Sequence, residues 1–321
     1  MCKICDIMEL VMNMDIRELL KIKYPIISGA MANITDAKFA ACVSNSGGLG
    51  IIAAGGNDAD WVRKEIRECK KLTNNPFGVN IMLMSPHANE IVSVIIEEHV
   101  DVVTTGAGSP SIYMEVLKNA GIKIIPVVPA VALAVRMERL GADAVIVEGT
   151  EAGGHVGEAT TMSLVPQVAD AVSIPVIAAG GIADKRGVAA AFMLGAKGIQ
   201  IGTVLLATKE CPIHNNYKEL VVKASDTSTI VTGRGKAPVR VLKNKMSTEY
   251  LKLSQTGIDL MELEKMTLGS LRKAVYNGNL DEGSFMAGQI AGLVKEIKTV
   301  KEVIDDLFEG VDDYIKKIRV I

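Results

Sequence analysis

The chain has 321 residues, 49% hydrophobic and 22% charged, the make-up of a globular protein large enough for one big α/β domain or two ordinary ones. A formal net charge of −2 gives no reason to expect nucleic acid or an anionic membrane as a main partner, and no apolar run approaches the roughly 20 residues that span a bilayer. The five cysteines are scattered and odd in number, so no disulfide framework is indicated.

The N-terminal MCKICDIMEL carries acids and lacks the n-region and h-region of a signal peptide, so a cytoplasmic protein is expected. Its C-x-x-C, formed by Cys2 and Cys5, has neither a second pair nor a nearby histidine, and reads as a short extension. From Tyr24 onward one rhythm dominates. Apolar, β-branched runs recur as YPIISGA at 24, GLGIIAAGG at 48, FGVNIML at 77, VDVVTTGAG at 100, IKIIPVV at 122, AVIVEG at 144, PVIAAGG at 175 and KGIQIGT at 197. Continuous runs of this length fit strands buried on both faces, as in a parallel sheet. Between them, ADWVRKEIRECKKL (59–72) sets Val62, Ile66 and Cys69 on one side and charges on the other. ANEIVSVIIEEHV, SIYMEVLKNAG, VALAVRMERLG and RGVAAAFMLGA repeat that helical spacing, the last three with glycine at or near the stop.

Eight strand-like runs alternating with helices predict a (β/α)8 TIM barrel, an α/β fold. A doubly wound sheet uses the same units but opens with G-x-G-x-x-G after its first strand, where this chain has SGAMAN. After residue 205 the rhythm stops. KASDTSTI, GRGKAPVRVLKNK and KLSQTGIDLMELEKM are more polar, which predicts a mostly irregular and helical subdomain over 207–283, inserted after strand eight of a barrel formed by 1–206 and 284–321. SFMAGQIAGLVKEI (284–297) reads as the last barrel helix, and KEVIDDLFEGVDDYIKKI as a closing amphipathic helix.

Active sites of such barrels lie at the C-terminal ends of the strands. There, Gly29, Ala30 and Met31 follow strand one, Asn80 sits in strand three, and Glu148 with the loop carrying His155 follows strand six. Gly180 and Gly181 follow strand seven, Gln200 lies in strand eight, and Gly202 and Thr203 follow it. Loops seven and eight commonly bind phosphate, because glycine admits an anion close to the backbone and amides at a helix start supply donors. FMN fits such a mouth, with its phosphate at these loops and Asn80 and Gln200 hydrogen-bonding the ring edge. No acidic cluster suits Mg²⁺ and none of His87, His99, His155 and His214 pairs at metal-ligand spacing, so no metal is expected. His155 stands among glycines that clear space for a ligand, and an imidazole near its ordinary pKa of about 6.5 donates a proton or a hydrogen bond at neutral pH. It is the candidate catalytic residue. GRGKAPVRVLKNK (233–245) holds five basic residues and no acid, which suits an acidic carrier protein, a nucleotide phosphate or a solvated face equally.

NPFGVNIMLMSP, VVTTGAGSP, IPVVPAVALAVRMERLGADAVIVEGTEAGGHVG, IPVIAAGGIAD, GIQIGT and FMAGQIAGLV together closely resemble the flavin-dependent enoyl-acyl-carrier-protein reductases of the FabK type, from about Asp15 to Phe308. The wider superfamily includes nitronate monooxygenases, which share the AGGHxG block; GVNIMLMSP and the stretch PVVPAVALAVRMERLGADAVIVEG favour the reductase. The resemblance implies an FMN enzyme that uses NADH or NADPH to reduce a trans-2-enoyl thioester on an acyl carrier protein, the last step of fatty-acid elongation. It implies that His155 binds the thioester carbonyl or supplies the proton. It also implies that Met31, Asn80, Glu148, Gln200, Thr203, Met286, Gly288 and Gln289 line the cofactor site, and that the enzyme is a homodimer activated by a monovalent cation. The alternative activity is that of a nitronate monooxygenase with His155 as base. Enoyl reductases of the short-chain dehydrogenase type use a Tyr followed by a Lys; none of the six tyrosines here has a Lys four or seven positions on.

Overall fold

Short β-branched runs are stable only where both faces of the strand are covered, and a closed ring wrapped by helices covers them. In the computed structural model, which describes residues 15–233 and 237–317, β1 (Ile26–Ser28), β2 (Gly50–Ala53), β3 (Phe77–Met82), β4 (Val102–Gly106), β5 (Lys123–Val128) and β6 (Val145–Glu148) are parallel neighbours in one sheet with β8 (Val176–Ala179) and β9 (Gly198–Ile201). The strand order is β1-β9-β8-β6-β5-β4-β3-β2. A parallel bridge from Ile27 to Leu49 joins the two ends, with Ser28 N donating to Leu49 O at 2.9 Å and Leu49 N to Ile26 O at 2.8 Å. The ring is therefore closed, and the fold is the expected (β/α)8 barrel. The Cys2–Cys5 pair, and Arg234 and Lys236 of the basic stretch, lie outside the described residues.

Strand alternation divides the core. Ile27, Ile51, Val102, Ile125, Ile146 and Ile177 fill the barrel interior, whereas Ile26, Ile52, Val103, Ile124, Val147 and Ile199 join the layer beneath the helices. The short α1 (Ile16–Leu20) packs Ile16 and Leu20 into the interior cluster. The wall helices are α2 (Ala37–Asn45), α3 (Ala59–Leu72), α4 (Ala88–Glu97), α5 (Met114–Asn119), α6 (Val131–Arg139), α7 (Thr161–Ala171) and α8 (Lys185–Met193). α3 shows why they form: Asp58 caps it by accepting from Trp61 N at 2.8 Å, and Val62, Ile66 and Cys69 are its buried stripe.

Beyond the barrel strands come α9 (Thr203–Leu206), α10 (Asn215–Val222), β10 (Thr229–Thr232), β11 (Val239–Leu242), α11 (Lys245–Ser254), α12 (Leu260–Thr267) and α13 (Ser270–Asn277). α14 (Val300–Phe308) and α15 (Val311–Lys317) then pack on α8. Three features differ from the sequence expectation. β10 and β11 form an antiparallel sheet whose third member is the two-residue β7 (Gly154–His155), too short to show a period of its own. The segment 284–297 is not an α-helix: Met286 bridges to Val241 and Gln289–Leu293 is a 3₁₀ turn. Its amides are taken by distant acceptors, Gly288 N by Thr203 Oγ1 at 2.8 Å and Gln289 N by Glu151 O at 2.9 Å. The closing helix breaks in two at Gly310, whose φ of 73° is left-handed. Among the described residues no helix is long and apolar enough to cross a membrane.

Candidate active site

The polar side chains of the barrel mouth follow from the same alternation. Val79 and Ile81 point outward, so Asn80 points inward; Ile199 and Ile201 do the same for Gln200, and Val147 for Glu148. Register then sets their level. Asn80 pairs with Thr104 and donates from Nδ2 to its Oγ1 at 2.9 Å. Glu148 pairs with Ala179, which pairs with Gln200, so an acid and an amide flank one small side chain on three adjacent strands. Above β4, a Cβ placed on Gly106 would meet nothing within 4 Å, so the space beside this glycine is open. Burial pushes the Glu148 carboxyl up to about 7, because the charged form loses solvation there. Near neutrality Glu148 is thus poised between a hydrogen-bond donor and an anion.

Loops six and eight meet the segment 286–289, and loop seven touches loop six. Gly180 and Gly181 have φ of 89° and 75°, a conformation natural to glycine. A Cβ on Gly180 would lie 2.9 Å from Gly149 O, so the loops after β6 and β8 touch directly. Gly29 N donates to Ile201 O at 2.7 Å, and the Met31 sulfur lies 3.8 Å from where a Cβ on Gly202 would be. Ala30 packs on the interior cluster. Thr203 and Gly288 are joined by the hydrogen bond already noted. The candidate residues of loops one and eight and of 288–289 therefore converge on one end of the barrel.

His155 was expected in a free glycine loop. Instead it is strand-paired: Val239 lies opposite His155 and Arg240 opposite Gly154, and Val156 N donates to Pro238 O at 3.1 Å. Val156 and Ala152 are buried with Val231, leaving His155 exposed on the opposite face. The next position of β11, Val241, bridges to Met286, and the Met286 sulfur lies 3.6 Å from the Cβ position of Gly154. One strand edge therefore aligns His155 and Met286.

Several contributors were not read from the sequence. The Glu151 carboxylate accepts from Thr161 N at 2.9 Å, and Thr161 Oγ1 lies 3.0 Å from both Glu151 Oε2 and Gly180 O. This caps α7 from ten residues away and ties loop six to loop seven, a span no local capping signature reveals. Tyr217, fully buried, donates to Met286 O at 2.6 Å and meets Phe285 edge-on at 4.9 Å. Among the described residues no group of three or more His, Cys, Asp and Glu could hold a metal ion.

The family model for nitronate monooxygenase matches residues 13–310. A probable nitronate monooxygenase of Staphylococcus aureus (strain JH9) is 35% identical over 81% of this chain and 86% of the relative. A 5-hydroxy-7a-methyl-1-oxo-octahydro-1H-indene-4-carboxyl-CoA dehydrogenase of Mycobacterium tuberculosis is 31% identical over 90% of this chain and 93% of the relative. Among solved structures, FabK from Thermotoga maritima is 50% identical with a TM-score of 0.91, covering 94% of this chain and 97% of that one. Nitroalkane oxidase from Streptomyces ansochromogenes is 26% identical with a TM-score of 0.83, covering 93% and 98%. The chain belongs to the nitronate monooxygenase family, and is a flavin oxidoreductase built on a (β/α)8 barrel.

Proposed function

We propose that the chain is an FMN-dependent enoyl-acyl-carrier-protein reductase that uses NADH or NADPH to reduce trans-2-enoyl thioesters at the end of the fatty-acid elongation cycle. The observation that carries this reading is the 50% identity to FabK from Thermotoga maritima, sustained over 94% of the chain. The residues present fit an FMN. The open space above Gly106 and the left-handed Gly180 and Gly181 are consistent with a ligand bound across this end of the barrel. Gly29, Ala30, Met31, Gly202, Thr203, Met286, Gly288 and Gln289 would frame it, with Asn80, Glu148 and Gln200 beneath.

When bound, FMN supplies two-electron chemistry, carrying hydride from the nicotinamide to the β-carbon of the thioester. His155, exposed on β7, then donates a hydrogen bond to the thioester carbonyl or a proton to the α-carbon. Glu148, held near its midpoint at neutral pH by burial, accepts or donates at the mouth without a fixed charge. In this reading residues 207–283 are an inserted unit that backs the His155 strand. The substrate arrives on an acyl carrier protein, and the enzyme is a homodimer that responds to a monovalent cation; the support for these three points is the family resemblance alone.

A second reading, nitronate monooxygenase with His155 as base, is favoured by the family match and by the 35% identical Staphylococcus relatives. The two differ in what reduces the flavin. Under anaerobic conditions NADH or NADPH should bleach the flavin rapidly, and crotonyl thioester should restore the colour. Slow bleaching with fast turnover of an alkyl nitronate would favour the second reading. In the same assay His155→Ala is expected to keep the bound flavin and to lose roughly 10²–10⁴-fold in thioester turnover; full turnover would remove its role.

A further inference from the structure

The loop from Thr150 to Ala159 leaves the barrel after β6 and closes on itself, Thr150 N donating to Ala159 O at 2.8 Å. Its tip is the β7 strand with His155. The neighbouring β11 reaches both parts of this loop through one residue. The backbone of Arg240 pairs with Gly154 beside His155. Its side chain, buried at 7% exposure, runs to the neck, where Nε and Nη2 lie 3.1 and 3.0 Å from Thr150 O. The third nitrogen, Nη1, lies 3.3 Å from Thr229 Oγ1 on β10. A planar guanidinium is suited to this, since it sends donors in several directions from one rigid plane.

Strand pairing alone fixes the tip only relative to β11. The neck is also tied to the barrel side through Glu151, which accepts from Thr161 N and Gln289 N. Arg240 adds the link that joins neck and tip to the inserted sheet through a single residue. We propose that Arg240 is a positioning residue for His155, locking the neck and tip of the 150–159 loop to the inserted sheet so that the imidazole is presented in one orientation. This rests on the catalytic assignment of His155 made above. It gives the insert a part in the reaction: β11 fixes the imidazole of His155.

The test compares Arg240→Met, which keeps the stem and removes the guanidinium, with Arg240→Lys, which keeps the charge. Amide hydrogen exchange over 150–159 is measured on the FMN-free protein, and the two half-reactions are followed separately by anaerobic stopped flow on the holoenzyme. Arg240→Met is expected to exchange faster over 150–159 than the parent, with unchanged exchange in the barrel strands. Flavin reduction by NADH or NADPH should keep its rate. Reoxidation by crotonyl thioester should slow on the order of 10–100-fold, the scale of misplacing a catalytic group by about 1 Å. Arg240→Lys should fall between the two. Unchanged exchange and unchanged reoxidation in Arg240→Met would overturn the proposal, as would equal slowing of both half-reactions, which marks a general structural defect. If Arg240→Met does not fold, Arg240→Lys is read alone against the same criteria. Should His155→Ala retain full turnover, the functional reading fails, while the exchange data still decide whether Arg240 orders the loop.

Discussion

At Glu148, burial and charge pull in opposite directions. The neutral acid is favoured in the folded chain, and the carboxyl rises from an ordinary 4.5 to about 7. The folded protein therefore holds a proton that the unfolded chain has lost between these two values, and stability falls as pH rises through that window. Below the lower value the effect vanishes; above the upper one the full cost, about 3 kcal/mol at about 1.4 kcal/mol per pH unit, is present. Glu148→Gln in the FMN-free protein is expected to be more stable than the parent at pH 8 and equal to it near pH 4. Urea unfolding at several pH values checks this, and parallel curves for the two proteins would contradict it. At the same scale, Glu148 and Gln200 were legible in the sequence because each is a polar residue at the end of an apolar run. That the Thr104 hydroxyl satisfies Asn80 was not legible, since the partner of an amide lies on another strand.

Elements meet here through glycine. The Gly153 in the run before His155 is required by packing: a Cβ there would lie 2.6 Å from the Ala287 carbonyl carbon. Gly181 is different, because its Cβ position is in ordinary contact with Glu151 at 3.5 Å while its φ is 75°. Gly181→Ala is expected to cost roughly 1–2 kcal/mol of backbone strain and to retain flavin. Gly181→Asp adds a negative charge beside Glu151 and at the proposed phosphate loop, and is expected to lose bound FMN on gel filtration. Equal flavin content in the two variants would count against the phosphate placement. The glycines were visible as letters; which ones face backbone and which face a ligand was not.

For the whole molecule, stability rests on closing the ring around a thin interior. Ile146 is fully buried inside it, between strands on both sides. Ile146→Ala is expected to destabilise the protein by about 2–5 kcal/mol, because rigid neighbouring strands collapse poorly into the void; denaturant unfolding measures it, and a loss below about 1 kcal/mol would show that the interior repacks. The eight strands, and Asn80, Glu148 and Gln200 at or near their C-terminal ends, were legible, since a run of β-branched residues is a property of neighbouring positions; the inward direction of the three came from the alternation seen in the fold. The strand nature of His155, the bridge at Met286, the Glu151 cap on α7 and the grip of Arg240 on Thr150 were not legible. Each of these joins positions too far apart along the chain for a helical or strand period to link them, and such a pairing leaves no periodic trace in either segment. Sequence thus determined the barrel and the level of its mouth, whereas tertiary structure decided how the His155 imidazole is held.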